Sequence, residues 1–407
     1  MTITQHEEAT RIMSDPAEDT PRWSRRQVLR AVGIGGATVA VAGTGLLSYR
    51  VYDSAELDPG GGPAYQSWTD WRDTPGPLGA VACAVLAASP HNTQPWTFAI
   101  GPDAIEVFRD GSRGTGAVDP LGREQYIGLG CALENLVLGS AARGLRPTVA
   151  MLPDGSGSPR VARIELTPEE PQSSPQYDAI GERHTNRGPY EPRPVPIETL
   201  AALAELTDLP GVNVHWIVDP APMATLSTLL IDAAVALTAD AQQSRDGCVW
   251  FRNTNDEIQR HRDGLGLDGQ GLSPFVLGLA KLLPASSRTD GDAFWVKQTR
   301  TVHTATAAAY GVITTTAPDD WSVQLEAGRL LQRIHLTATS QGIALHHMNQ
   351  ITERIDREAT TGAQPTFGPR FVALLPDGAQ PLLTFRVGYA VREARPTPRR
   401  SATEVTR

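Results

Sequence analysis

The feature that most constrains the fold is a weak internal repeat. "GCALENLVLGSAARGL" (Gly130 to Leu145) aligns without gaps to "GRLLQRIHLTATSQGI" (Gly328 to Ile343). Gly130 falls on Gly328 and Gly144 on Gly342, and the apolar positions Leu133/Leu331, Leu136/Ile334 and Leu138/Leu336 coincide. Apolar residues at helical spacing, closed by a glycine suited to a C-cap, predict one long helix in each segment. A second echo follows in the same order. "MLPDG" (Met151 to Gly155) and "LLPDG" (Leu374 to Gly378) each sit in a hairpin-like stretch. Two alanine-rich helices match by chance often enough, but two echoes in one order favour duplication. Two like halves in one chain predict an intrachain pseudo-dimer, with any shared site at the seam between them.

Bulk properties narrow the classes. With 407 residues, 40% of them hydrophobic, the chain can bury one large core or two ordinary ones. A formal charge of -9 opposes a nucleic-acid groove, which needs concentrated basic charge. Cys83, Cys131 and Cys248 are odd in number and far apart, so neither a disulfide framework nor a zinc site is suggested. Cys83 and Cys131 lie inside apolar helical patterns and read as small core residues.

The N-terminus carries a targeting pattern. Residues 1–30 read as a disordered, polar region that ends in "SRRQVLR", and residues 31–50 as a signal or membrane-anchor helix. A basic segment ahead of an apolar run is the layout of an export signal. Arg25 and Arg26, after Ser24 and before Val28-Leu29, resemble the twin-arginine signal, and the glycine-rich, mildly apolar run suits that class. The other reading is an ordinary signal-anchor with incidental arginines. No clean A-x-A follows Ser48, and the run is long enough to just span a bilayer, which leans towards an uncleaved anchor. Residues 51–64, with "LDPGGGP", form a flexible linker.

Two polar clusters stand out in the remainder. "SPHNTQPW" (Ser89 to Trp96) packs two carboxamides, a hydroxyl and an imidazole between an apolar helix, "LGAVACAVLAA", and a strand-like stretch. "GERHTNRGPY" (Gly181 to Tyr190) sets Arg183 and Arg187 four apart with Thr185 and Asn186 between them. Guanidinium forks with a hydroxyl suit an anion such as a phosphate. A further basic cluster, Arg395, Arg399 and Arg400, closes the chain. From charge alone a solvated linker and a solvated tail are the favoured reading of the two basic clusters.

"SPHNTQPW" followed by a hairpin and a long "GCALENL" helix resembles the FMN-dependent nitroreductase family. "RHTNRGPY" resembles that family's Arg-x-Ser/Thr-x-Arg phosphate motif, and "FRVGYA" with "PTPRRS" its basic C-terminal contact. The wording and order are most similar to the duplicated, single-chain, Acg-type subgroup of actinobacteria, over roughly residues 65 to 402. The resemblance implies an α+β, nitroreductase-like fold. Two related halves, with mixed, mainly antiparallel sheets flanked by helices, would form the pseudo-dimer. Half 1 would span 65–180 and half 2 181–402, with a lid-like insertion near 252–275.

Carried across by position, the resemblance implies that Ser89, Pro90, Asn92 and Gln94 line the flavin. It implies that Arg183, Thr185 and Arg187 hold the phosphate with Arg399 and Arg400, and that Asn349 of "HHMNQ" lies near the ring's reactive edge. The ordinary family member is a homodimer with both motifs in each subunit. Here each motif occurs once, so one complete FMN site per chain is implied, and a monomer acting as a pseudo-dimer.

The residue types suit that cofactor. An isoalloxazine edge alternates donors and acceptors, which carboxamides satisfy in either sense. The flavin itself carries the redox chemistry, so no catalytic protein nucleophile is expected. There is no GxSxG, no HExxH and no metal-ligand spacing. "GLGLDG" (Gly264 to Gly269) satisfies GxGxxG but follows a charged helical pattern, so it reads as a mobile loop, not a dinucleotide turn. Three functions remain open. One is an FMN-dependent oxidoreductase passing electrons from NAD(P)H or another donor to a nitro or quinone-like acceptor. Another is a flavin-holding protein whose lid prevents turnover. The third is a scaffold that has lost flavin. Export through the twin-arginine translocase would place the protein in the cell envelope, membrane-anchored or free, where NAD(P)H is scarce.

Overall fold

In the computed structural model, which describes residues 60–407 except 208–210 and 283–284, the two aligned segments are helices that cross at the centre of the molecule. The twin-arginine motif and apolar run of residues 24–48, and most of the linker, lie outside the described residues. The helices of seven residues or more are α1 (Gly76–Ala84), α2 (Arg123–Ala141), α3 (Ile197–Ala204), α4 (Pro220–Ala239), α5 (Ala241–Cys248), α6 (Asn255–His261), α7 (Pro274–Leu282), α8 (Arg288–Gln298), α9 (Trp321–Ser340) and α10 (Gln350–Thr361). The strands are β1 (Trp96–Ile100), β2 (Ala104–Arg109), β3 (Leu145–Met151), β4 (Arg160–Pro168), β5 (Val212–Ile217), β6 (Ala309–Thr315), β7 (Ala344–His347) and β8 (Gln380–Gly388).

The duplication is written into the topology. One sheet runs β1-β2-β4-β3 and the other β5-β6-β8-β7, the same order in each half. All the pairings between these strands are antiparallel. Even an irregularity recurs: the register shifts between Val107 and Phe108 where β2 meets β4, and between Ile313 and Thr314 where β6 meets β8. The two sheets flanked by helices are the mainly antiparallel sheets expected, antiparallel at every pairing between these strands. The "PDG" echo also resolves, since both copies precede the last-numbered strand of their sheet. Only the first is a tight hairpin, because α10 and a short helix (Phe367–Val372) separate β7 from β8.

The seam between halves is built on the repeated glycines. A Cβ on Gly130 would lie 2.0 Å from the Leu325 carbonyl oxygen and 2.9 Å from the Gly328 Cα; one on Gly328 would lie 2.0 Å from the Ile127 oxygen. The α2 and α9 backbones therefore touch, which only residues without side chains permit. Flanking this contact, the Glu134 carboxylate accepts from Arg329 Nε at 2.9 Å and from Arg333 Nε at 2.8 Å. Gln332 donates to Asn135 Oδ1 at 2.8 Å. Gly144 and Gly342, the other aligned pair, follow the two helices with φ of +72° and +71°, the left-handed conformation that ends a helix. The C-terminus returns to the first sheet, where the Arg407 N–H donates to the Phe98 carbonyl at 2.9 Å.

Candidate functional site

A cavity of about 330 Å³ lies at this seam, within the range of small-molecule and cofactor pockets. α2 contributes Ile127, Gly128 and Cys131, and α9 contributes Leu331. Ser89 and Pro90 enter from half 1, Thr185, Arg187 and Asn349 from half 2. Much of the remaining wall comes from α5, α8 and the connections between them, with Phe251, Leu265, Phe294 and Trp295. The cover is therefore broader than the 252–275 stretch singled out by sequence. Gly128 lets α2 press on the loop, since a Cβ there would already be 3.0 Å from Pro90 Cδ.

The "SPHNTQPW" loop is strained and tied down. His91, Asn92 and Gln94 take φ of 45°, 54° and 53°, a left-handed region that costs non-glycine residues about 1 kcal/mol or more each. The polar side chains offset that cost. Ser89 Oγ accepts from the Gln94 N–H at 3.1 Å. Asn92 Nδ2 donates to the Gly264 carbonyl at 3.0 Å and to the Pro398 carbonyl at 2.9 Å, while its Oδ1 accepts from Arg399. Gln94 Nε2 donates to the Arg262 carbonyl at 2.8 Å and Oε1 accepts the Arg400 N–H at 2.9 Å. Asn92 and Gln94 thus stand off the cavity wall, spent on joining the loop to the C-terminal tail and to residues 262–264. In this structure the two side chains serve the loop's own backbone and its contacts with the tail.

The arginines divide in the same way. Arg187 lines the cavity; its Nη1 donates to the Gly269 carbonyl at 3.2 Å. Arg183 lies behind the wall, donating from Nη2 to the Leu86 carbonyl at 3.0 Å. Arg399 donates to the Ala87 carbonyl at 3.2 Å and stacks over Trp68 at 4.9 Å; Arg400 reaches the Trp96 carbonyl at 3.1 Å. Of the four arginines expected at a phosphate, Arg187 lines the cavity and Arg183, Arg399 and Arg400 do not. Yet the Nε atoms of all three are buried without a partner. Among the described residues, none of these four guanidiniums has a carboxylate within ion-pair distance. Burial, then the charge of Arg183, holds Arg399 well below its usual range; burial lowers Arg187 to about 10. Buried or half-buried cations with no ion-paired carboxylate make this side of the seam a place for an anion.

Residues in and behind the cavity wall were given no role by the sequence reading. Arg386, fully buried on β8, donates to His346 Nδ1 at 3.2 Å, to the His303 carbonyl at 3.1 Å and to the Gly188 carbonyl at 2.7 Å. A lone arginine in the apolar run "LLTFRVG" was the signal available for it. His346 and His347 point apart: the first meets His303 edge-on at 4.6 Å, the second His335 at 5.5 Å. Burial, first, and neighbouring positive groups keep His346 and His347 neutral, with His347 lowered to about 3. Glu124 of α2 and Glu353 of α10 form the opposite wall. Asn349 joins the cavity at the start of α10, its Oδ1 accepting the Thr384 N–H at 3.1 Å.

No family model matches the chain. It is 27% identical over 356 residues to Rv3131 of Mycobacterium tuberculosis H37Rv, which bears the name NAD(P)H nitroreductase; the match covers 85% of this chain and 95% of that protein. It is 31% identical over 118 residues to the protein acg of the same strain, named in the same way, covering 28% of this chain and 36% of the relative. Among solved structures it is similar to the FMN-dependent nitroreductase NfnB of Mycobacterium smegmatis in complex with NADPH, at 19% identity and a TM-score of 0.36. That match covers 57% of this chain and 97% of the other. A nitroreductase from Desulfitobacterium hafniense with bound FMN gives 16% identity and a TM-score of 0.34, over 55% and 94% of the two chains.

Proposed function

Given that this chain belongs to the nitroreductase superfamily, we propose that it is an FMN-dependent oxidoreductase with one cofactor site per chain. The carrying observation is Arg187: a half-buried guanidinium on the wall of a seam cavity, with one backbone acceptor and no carboxylate at ion-pair distance. A flavin phosphate supplies the missing counter-charge. Arg187 and Thr185 would hold it, while the buried charges of Arg183, Arg399 and Arg400 add long-range attraction from behind the wall. Ser89, Pro90 and Asn349 would position the rest of the cofactor. When bound, FMN supplies hydride and electron transfer. The chain's part is to bind it, orient it and limit water through the apolar cover of Phe251, Leu265, Phe294 and Trp295. NAD(P)H as the reductant and a nitro acceptor follow the names of the mycobacterial relatives; a quinone-like acceptor is the other substrate class this reading admits.

One observation favours a second reading, a flavin-holding protein. Asn92 and Gly264 bond reciprocally, N–H of Gly264 to the Asn92 carbonyl at 3.1 Å and Asn92 Nδ2 to the Gly264 carbonyl at 3.0 Å, which pins the cover beside the cavity. Addition of NADPH under anaerobic conditions to the purified chain separates the two. A yellow protein that bleaches supports the oxidoreductase, one that stays yellow supports storage, and a colourless protein that no FMN restores refutes both. The pattern at residues 24–48 supports export to the cell envelope through the twin-arginine translocase, where a quinone-linked donor would replace NAD(P)H.

A further inference from the structure

Two carboxyls face the cavity from the wall that cofactor binding leaves unused. Glu124 in the first turn of α2 and Glu353 in the first turn of α10 both line it, at 7% and 9% exposure. Glu124 Oε1 is buried and receives no hydrogen bond from any N–H or hydroxyl of the chain. Glu353 carries the neighbouring carboxyl, whose charge opposes that of Glu124. Two buried carboxyls side by side, with no cation paired to either, hold at least one proton between them.

The surroundings keep that proton in place. From the loop before α2, Asp119 accepts the N–H groups of Glu124 and Gln125 at 3.2 and 3.0 Å, adding negative charge nearby. Arg123 is engaged by Asp356 of α10 and by the Pro381 carbonyl at 3.2 Å. Asp319, ahead of α9, adds its charge beside Asp356. Arg354 turns to Gln243, at 2.5 Å, and to Asp240 at 3.5 Å. Arg288 of α8, across the cavity, pairs with Asp292 at 3.3 Å. No cation among the described residues forms an ion pair with either glutamate. Burial first, then these acidic neighbours, raise Glu124 well above the carboxylate range and Glu353 to about 8. Nor do the described residues hold any group of three or more His, Cys, Asp or Glu that could bind a metal.

We propose that the Glu124–Glu353 pair is the proton donor of this site, delivering its shared proton to a hydride acceptor held in the cavity. The inference rests on the oxidoreductase reading, which supplies the hydride through FMN from NAD(P)H or a quinone-linked donor. For a quinone, the hydride provides two electrons and one hydrogen. The carboxyl O–H bond breaks, an O–H bond forms on the quinone oxygen, and hydroquinone leaves a carboxylate behind. For a nitro group, one hydride and one proton give the N,N-dihydroxy species, which loses water to the nitroso product. In both cases solvent reprotonates the pair after release. The acceptor class is thereby set: compounds that gain an O–H on reduction, over acceptors that take electrons without protons.

The test uses Glu353→Gln and Glu124→Gln in the flavin-loaded chain. Reoxidation of the reduced flavin by a quinone should slow about 100-fold, the usual scale for losing a general acid. Reoxidation by ferricyanide, which takes no proton, should be unchanged. In the parent protein, quinone reoxidation should fall as pH rises through about 8. Flavin-free protein gives an independent readout: at pH 7 it should show the infrared carbonyl band of a protonated carboxyl, which weakens in either variant. Absence of that band, or quinone reoxidation unchanged in both variants, overturns the proposal. A protein that takes up no flavin refutes the oxidoreductase reading instead, and the band then decides whether the pair keeps its proton.

Discussion

Gly130→Ala should weaken the whole molecule through one methyl group. That methyl would start 2.0 Å from the Leu325 carbonyl oxygen and 2.9 Å from the Gly328 Cα, both backbone atoms that no rotamer change can move. Restoring ordinary contact requires α2 and α9 to part by about 1 Å, which thins the packing along the seam. Overpacking of this kind costs about 1–3 kcal/mol, and backbone against backbone belongs at the upper end. Alanine recovers about 1 kcal/mol of helix propensity. The net expectation is a loss of about 2 kcal/mol. With a urea m-value of roughly 3 kcal/mol/M or more for a chain of this size, the unfolding midpoint should fall by about half a molar. The partner change sharpens the test. Once the helices have parted, a second methyl at Gly328 fits the gap already made, so Gly130→Ala/Gly328→Ala should cost clearly less than the sum of the single changes. An unchanged midpoint for Gly130→Ala, or strict additivity in the double variant, would refute the backbone-contact seam.

Other perturbations separate site from scaffold. Arg187→Ala should cost about 2 kcal/mol or more of FMN affinity, read by fluorescence titration, with Arg187→Lys intermediate because one fork is lost but the charge is kept. Asn92→Ala should lower the thermal stability of flavin-free protein by about 3 kcal/mol. It strands Arg399 and the carbonyls of Gly264 and Pro398, and releases a loop of three left-handed residues. Stability should also depend on pH in two opposite ways. Glu353, raised to about 8, binds its proton in the folded state where the unfolded chain has lost it, so stability falls as pH rises from about 4.5 towards 8. His347, lowered to about 3, stays neutral when the unfolded imidazole is charged, so stability falls as pH drops from 6.5 towards 3. Chemical denaturation across pH should show both limbs, and Glu353→Gln should flatten the alkaline one alone. Arg25→Lys with Arg26→Lys should leave the protein in the cytoplasmic fraction if the twin-arginine pattern directs export.

The seam was legible because glycine leaves a mark in sequence where backbones touch. Gly130 and Gly328 stood in register, and the structure places them against each other. Helical periodicity likewise located α2 and α9, whose apolar faces recur every three or four residues. The chemistry of "SPHNTQPW" was harder to read. Its residue types show capacity for hydrogen bonding but not the direction. The partners of Asn92 and Gln94 lie at residues 262–264 and 398–400, far along the chain. The same remoteness hid the carboxyl wall. Glu124 looks like an acidic residue favourable to a helix start, and Glu353 sits in "ITERIDRE" like a surface charge. Only the folding of α10 against the N-terminal end of α2 buries them together. Residues 252–275 read as one lid-like insertion, but the cover they belong to runs from 241 to 298 and includes four helices, since its polar composition lacks a clear apolar stripe.

The most direct measurement for the central claim is the stoichiometry of FMN binding to the intact chain, by quenching of flavin fluorescence, with the mass of the complex measured alongside. One site at the seam predicts an endpoint of one FMN per chain in a monomer, and loss of saturable binding in Arg187→Ala. Two flavins per chain, or tight binding that survives Arg187→Ala undiminished, would contradict it.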